Sequence, residues 1–130
     1  QLKRAVAVIH EAGAKCIKHC DGNTWAILED MLEAGIDCMN PLEPVAGMKI
    51  SEVKEKFGRR ACIMGNIDCA ELLCHGSIQE VEASVKQCIE EGAKGGGLIV
   101  CSSNSIHEGV NPRNYKAMID SVHKYGGKRI

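Results

Sequence analysis

Residues 61–73 read "ACIMGNIDCAELL". The run from Ala61 to Met64 is apolar and has the length of a buried strand, it ends on polar Asn66 and Asp68, and a helical pattern follows. The same design recurs on either side, at "AKCIKH" (14–19), "IDCMN" (36–40) and "GLIVCS" (97–102). Between the runs lie amphipathic patterns with apolar residues three and four apart: Trp25, Leu28, Met31 and Leu32; Val81, Val85 and Ile89; Tyr115, Met118, Ile119 and Val122. Ser77 with Glu80 reads as a capping box, and Asn111 before Pro112 as an N-cap with proline at the first helical position. Gly13, Gly35, Gly58, Gly92 and Gly126 each follow a helical pattern, where a left-handed C-cap is expected.

The order is one helix followed by four strand-helix pairs. It predicts an α/β chain with a parallel sheet and right-handed crossovers. In such folds the polar residues just beyond the carboxyl ends of the strands build the site. Those positions are 19–23, 40–43, 65–68 and 102–107. Two architectures fit the order, an open doubly wound sheet and part of a closed barrel. An eight-unit barrel needs about 250 residues, so these 130 residues supply about half of one. The chain opens at Gln1 inside a helical pattern, which leads us to expect a piece of something longer.

Composition narrows the function. Sixteen Lys and Arg against seventeen Asp and Glu leave no basic footprint, and one Trp, one Phe and two Tyr leave no stacking platform. We therefore expect no nucleic-acid partner. The apolar runs fall far short of the roughly 20 residues of a membrane span, and no signal-peptide core is long enough, so we expect no membrane and a cytoplasmic location. The eight cysteines (16, 20, 38, 62, 69, 74, 88 and 101) form no C-x-x-C pair and sit mostly in apolar segments, so reduced thiols are expected rather than a disulfide scaffold.

The segments "KHCDGNTWAILEDMLEAGIDCMNPLEPVAGM" (18–48), "IMGNIDCAELL" (63–73) and "GGGLIVCSSNSIHEGVNPRNYKAMIDSV" (95–122) together resemble the C-terminal half of the uroporphyrinogen decarboxylase family, which includes cobalamin-dependent methyltransferases acting on thiols such as coenzyme M. The resemblance implies a TIM (β/α)8 barrel, of which residues 1–130 are a partial domain with four of eight units. It also implies a missing N-terminal half-barrel, in whose absence the uncovered sheet edges and inner face favour self-association.

Two activities follow from the resemblance. The methyltransferase branch has a His-x-Cys pair and a later Cys that bind zinc, which makes a thiolate of the acceptor for attack on a methyl-corrinoid carried by a partner protein. His19 matches the His of that motif. Asp21 stands in the Cys position, and Asn104 falls where the later Cys is expected. His19 and Asp21 are thus the candidate zinc ligands, and Cys101 or His107 completes a site only if the loop folds back. The decarboxylase branch, acting on a tetrapyrrole without any cofactor, carries a "GHG"-like segment after its last strand, whereas this chain reads "SSNSIH". The family's substrate-binding Arg and Asp residues lie in the half of the barrel outside this chain. A small-molecule substrate at the barrel mouth is expected in either case, and a third reading is an inactive half-barrel fragment.

Without metal, Asp21 is the leading acid/base candidate, a partly buried carboxylate beside His19. His19 and Asp21, together with Asp68, form the candidate catalytic set; Asn23, Glu43, Asn66 and Asn104 form the candidate substrate-binding set. Asn66 and Asp68 match the family's "GN-D" segment, although Asp68 also suits an N-cap. Glu43 lies between two prolines, where a base and a solvated loop carboxylate are equally open readings. The glycines at 95–97 precede a strand, so they are read as a turn rather than a phosphate loop.

Overall fold

The computed structural model describes residues 1–127. Helix α1 (Leu2–Glu11) leads into β1 (Ile17–His19), α2 (Leu28–Glu33), β2 (Cys38–Leu42), a 3-10 turn (Pro44–Ala46) and α3 (Ile50–Phe57). The chain continues through β3 (Cys62–Ile67), α4 (Leu72–His75), α5 (Ile78–Gly92), β4 (Leu98–Ser102) and α6 (Pro112–Tyr125). The four strands form one sheet in the order β1-β2-β3-β4, every pair parallel.

That order decides between the two architectures. Right-handed crossovers between successive parallel neighbours all return on the same side of the sheet. A doubly wound sheet reverses its strand order to bring helices onto both faces, and this sheet does not reverse. It is an arc of a barrel, with helices outside and a bare concave face within.

Alternation along each strand divides the residues between the two faces. Met39, Leu42, Ile63 and Ile67 are fully buried on the helix side, in a core shared with Leu28, Val53, Val81, Val85 and Met118. On the other face Ile17, Cys38 and Cys62 lie side by side in register, as do Met64 and Ile99. Ile17 is 53% and Ile99 42% exposed, because no helix covers this side. The β2-β3 register slips between Met39 and Leu42. Gly65 permits the close passage there, since a Cβ on it would stand 3.0 Å from the Leu42 nitrogen.

The local signals place the helices. Ser77 and Glu80 form the reciprocal capping box, with Ser77 N–H donating to Glu80 at 2.7 Å and Glu80 N–H to Ser77 Oγ at 3.2 Å. Asn111 accepts from Arg113 N–H at 2.9 Å, with Pro112 opening α6. Three details differ from expectation. The helical unit after β3 is split, a short α4 preceding α5. Gly13 and Gly35 adopt the left-handed conformation (φ +75° and +93°), whereas Gly58 and Gly126 stay right-handed and Gly92 closes α5 tightly against Ile50 and Leu98. On α6, Tyr115 and Ile119 are exposed and the inward face carries Asn114, Met118 and Ser121, because this last helix has a neighbour on only one flank.

Asn114 is 2% exposed, and its amide donates to the Gly76 carbonyl at 2.7 Å, with the Leu72 and Leu73 carbonyls, which also accept from Gly76 N–H and Asn111 N–H, at 3.4 Å. Asn114→Ala strands the Gly76 carbonyl, so the chain is expected to lose about 1–3 kcal/mol in urea unfolding. At the opposite end of the sheet, Asp37 accepts from Cys16 N–H (2.8 Å), His10 (2.7 Å) and Lys15 (2.9 Å). The Cys16 backbone N–H above all, then His10 and Lys15, hold its carboxyl well below the usual carboxylate range. A folded-state pKa below the unfolded one stabilises the fold above pH 4, and this contribution disappears as pH falls further. Asp37→Asn is therefore expected to flatten stability against pH below 4, as read by unfolding at a series of pH values.

Candidate functional site

Three strand-end loops meet at the carboxyl edge of the sheet. The pairing of β1 with β2 runs one residue beyond β1, Cys20 N–H donating to the Asn40 carbonyl at 2.7 Å, and this sets His19 beside Asn40. The Nδ1 of His19 lies 2.7 Å from Asn40 Oδ1, and its Nε2 lies 3.0 Å from Asp21 Oδ1. From the loop after β4, the Asn104 amide donates to Asp21 Oδ1 at 3.1 Å and to Glu43 Oε1 at 3.4 Å. The other oxygen of Glu43 accepts the Gly22 N–H at 2.5 Å. Asn104 is itself held by Ser102 Oγ, which donates to its carbonyl at 2.7 Å, and by Ser105 N–H, which donates to its side chain at 2.7 Å.

With Asn40 Oδ1 accepting from Nδ1–H, a neutral His19 presents the lone pair of Nε2 to the Asp21 carboxylate. Acquiring a proton at Nε2 turns that opposition into a charge-assisted hydrogen bond. The side chains of His19 and Asp21 are 54% and 55% exposed, so the partial burial expected for Asp21 is absent and the pair stands open to solvent. Among the described residues no Lys or Arg side chain pairs with Asp21 or Glu43, while Lys18 Nζ donates to the His19 carbonyl nearby.

Of the remaining candidates, Asn23 ties loops together, donating to the Ala46 carbonyl at 3.0 Å and accepting from Trp25 N–H at 3.2 Å. Asn66 donates to the Met48 carbonyl at 3.4 Å and lines a cleft with α3 and α5 residues Ile50, Gln87 and Glu91, on the helix side. Asp68 accepts from the N–H groups of Ala70, Glu71 and Leu72 at 2.9–3.2 Å, which is the capping role. Two participants are new. Asn40 orients the His19 ring, and Gly22 supplies a backbone donor. Asn40 lay within the expected rim, but its role depends on the β1-β2 register.

A zinc site needs more ligands than the cluster offers. Among the described residues no three His, Cys, Asp or Glu side chains are grouped to hold a metal. Burial pushes the Cys101 thiol up to about 11, and it donates to the Ser102 carbonyl at 3.1 Å. His107 stands 3.9 Å from Cys74. His19 and Asp21 face an amide where a third ligand would be required, and the donor set does not fit the zinc that the resemblance implied. No described helix is long and apolar enough to cross a membrane.

The chain matches the family model described as uroporphyrinogen decarboxylase over residues 1–125. The uroporphyrinogen decarboxylase of Thioalkalivibrio sulfidiphilus is 33% identical over 107 residues, which are 82% of this chain and 28% of that protein. That of Acinetobacter baylyi is 29% identical over 112 residues, 84% of this chain and 29% of that protein. A solved methyltransferase from Methanosarcina mazei superposes with a TM-score of 0.81 at 22% identity, over 97% of this chain and 35% of its own, a likeness of fold. The chain thus spans under a third of the curated relatives it matches.

Gly22 has φ +77° and open space where a Cβ would stand. Its cost on substitution is then conformational alone, and Gly22→Ala is expected to destabilise the chain by about 1–2 kcal/mol in chemical unfolding, with Gly22→Asn milder.

Proposed function

The chain belongs to the uroporphyrinogen decarboxylase family, and from that membership we propose that its full-length protein is a methyltransferase-like enzyme, moving a methyl group from a corrinoid co-substrate to a small neutral or cationic acceptor. The two carboxylates on the part of the mouth that this chain supplies carry this reading. A porphyrinogen bears many carboxylates, and Asp21 and Glu43, with no Lys or Arg paired to them among the described residues, disfavour a carboxylate placed beside them. An amine or thiol acceptor meets no such repulsion and has a proton to lose.

The residues divide the work as follows. Asp21, exposed at the mouth, receives the acceptor's proton. His19 Nε2, 3.0 Å away, takes it over, while Asn40 keeps the ring in the orientation that leaves Nε2 free for it. Asn104 holds Asp21 and Glu43 at fixed separation, and Gly22 N–H fixes Glu43. The corrinoid, when bound, supplies an electrophilic methyl group. Because this chain spans under a third of its relatives, the activity is proposed for the full-length protein, and the 130 residues alone are proposed to be inactive.

The test uses full-length protein with methylcobalamin and a panel of small thiols and amines, followed by the change in corrin absorbance, beside a porphyrinogen decarboxylation assay. Methyl transfer is expected, and Asp21→Asn and His19→Gln are each expected to lower it by about 100-fold or more, within the range for lost general-base catalysis. Porphyrinogen decarboxylation with methylcobalamin untouched would reverse the assignment.

A further inference from the structure

Outside the proton cluster, the concave face holds a second group of reactive side chains. Cys38 of β2 and Cys62 of β3 are Cα partners in register. Neighbouring strands run about 4.8 Å apart, so directly paired residues on one face bring their side chains into contact. Their sequence neighbours Met39 and Ile63, also in register, point the other way into the helix-side core. Cys38 is buried, 3% exposed, and is not among the residues of the apolar cluster that holds Met39 and Ile63. Cys62 is half-buried and opens onto a cavity at the amino ends of the strands, lined also by Asp37, Arg60, Ala61 and Gly97. All eight cysteines are free thiols.

We propose that Cys38 and Cys62 form a dithiol binding site for a soft, thiophilic centre, entered from this cavity through Cys62 and closed by Cys38. Each thiol in the free state is held weakly, Cys38 donating to the Met39 carbonyl at 3.7 Å and Cys62 to the Ile63 carbonyl at 3.8 Å, so little is lost when both turn to a common ligand. Burial, then the Cys62 thiol beside it, pushes Cys38 up to about 12, so Cys38 is inert to reagents that attack one thiolate at a time. A chelating centre avoids that obstacle, because capture at Cys62 makes the second step intramolecular. With a trivalent arsenical oxide the step balances without redox change. Two As–S bonds replace the arsenic-oxygen bond, and the two thiol protons leave with the oxygen as water. The consequence for the fold is a clasp between β2 and β3, two residues below Asn40 on the same strand and the same face.

The probe is phenylarsine oxide, added to the natively folded full-length protein and followed by peptide mapping under non-reducing conditions. The expected result is an arsenical joining the peptides that contain Cys38 and Cys62. It should resist excess monothiol and be removed by a dithiol, and it should be absent from Cys38→Ala and Cys62→Ala but retained in Cys74→Ala. Circular dichroism of each variant checks folding, and the wild-type peptide map needs no variant. A bridge mapped to Cys16 and Cys20, or to Cys69 and Cys74, overturns the proposal, and so does a folded chain that takes up no arsenical.

Discussion

Everything in this chain follows from the helices all lying on one side of the sheet. Successive parallel neighbours joined by right-handed crossovers leave no helix for the other face. Each strand must therefore serve two environments at a spacing of one residue. Met39 and Ile63 go into a helix-packed core, and Cys38 and Cys62 go to the opposite face. Burying side chains such as Met39, Leu42, Ile63 and Ile67 is worth about 1.5–3 kcal/mol each. That supplies the driving force on the helix side of the sheet.

The same constraint explains what the sequence disclosed. Strand and helix order was readable because local signals and burial agreed: the capping box at Ser77, the cap at Asn111, and the apolar runs that became β2, β3 and β4. The inward face of α6 was misjudged, since periodicity nominated Tyr115 and Ile119 while the buried position belongs to polar Asn114. An asparagine whose amide reaches the carbonyls at the end of another helix has no signature in its own helix.

The site shows the same division. The strand-end rule brought His19, Asp21, Glu43 and Asn104 onto one rim, and the structure joins Asp21 to Asn104 across 83 positions of sequence. The rule could not separate a rim side chain that faces the mouth from one consumed by its own loop. Asp68 caps three N–H groups, Asn23 braces a neighbouring loop, and Asn66 reaches Met48. Asn40 lay within the expected rim, but its contact with His19 exists only once β1 and β2 have paired.

The two ends of the sheet put carboxylates to opposite uses. Asp37, at the amino end, is gripped by a backbone N–H, a His and a Lys, and gives up its proton far more readily than an ordinary carboxyl. A carboxylate so firmly satisfied cannot exchange protons near neutrality, and its work is to tie α1, the entry to β1 and β2 together. Asp21, at the carboxyl end, has one imidazole and one shared amide and stands half in solvent. Few partners and open access are what a group needs if it is to receive a proton and pass it on. In the proposed reading the parallel sheet thus separates anchoring, at Asp37, from chemistry, at Asp21, along its strands.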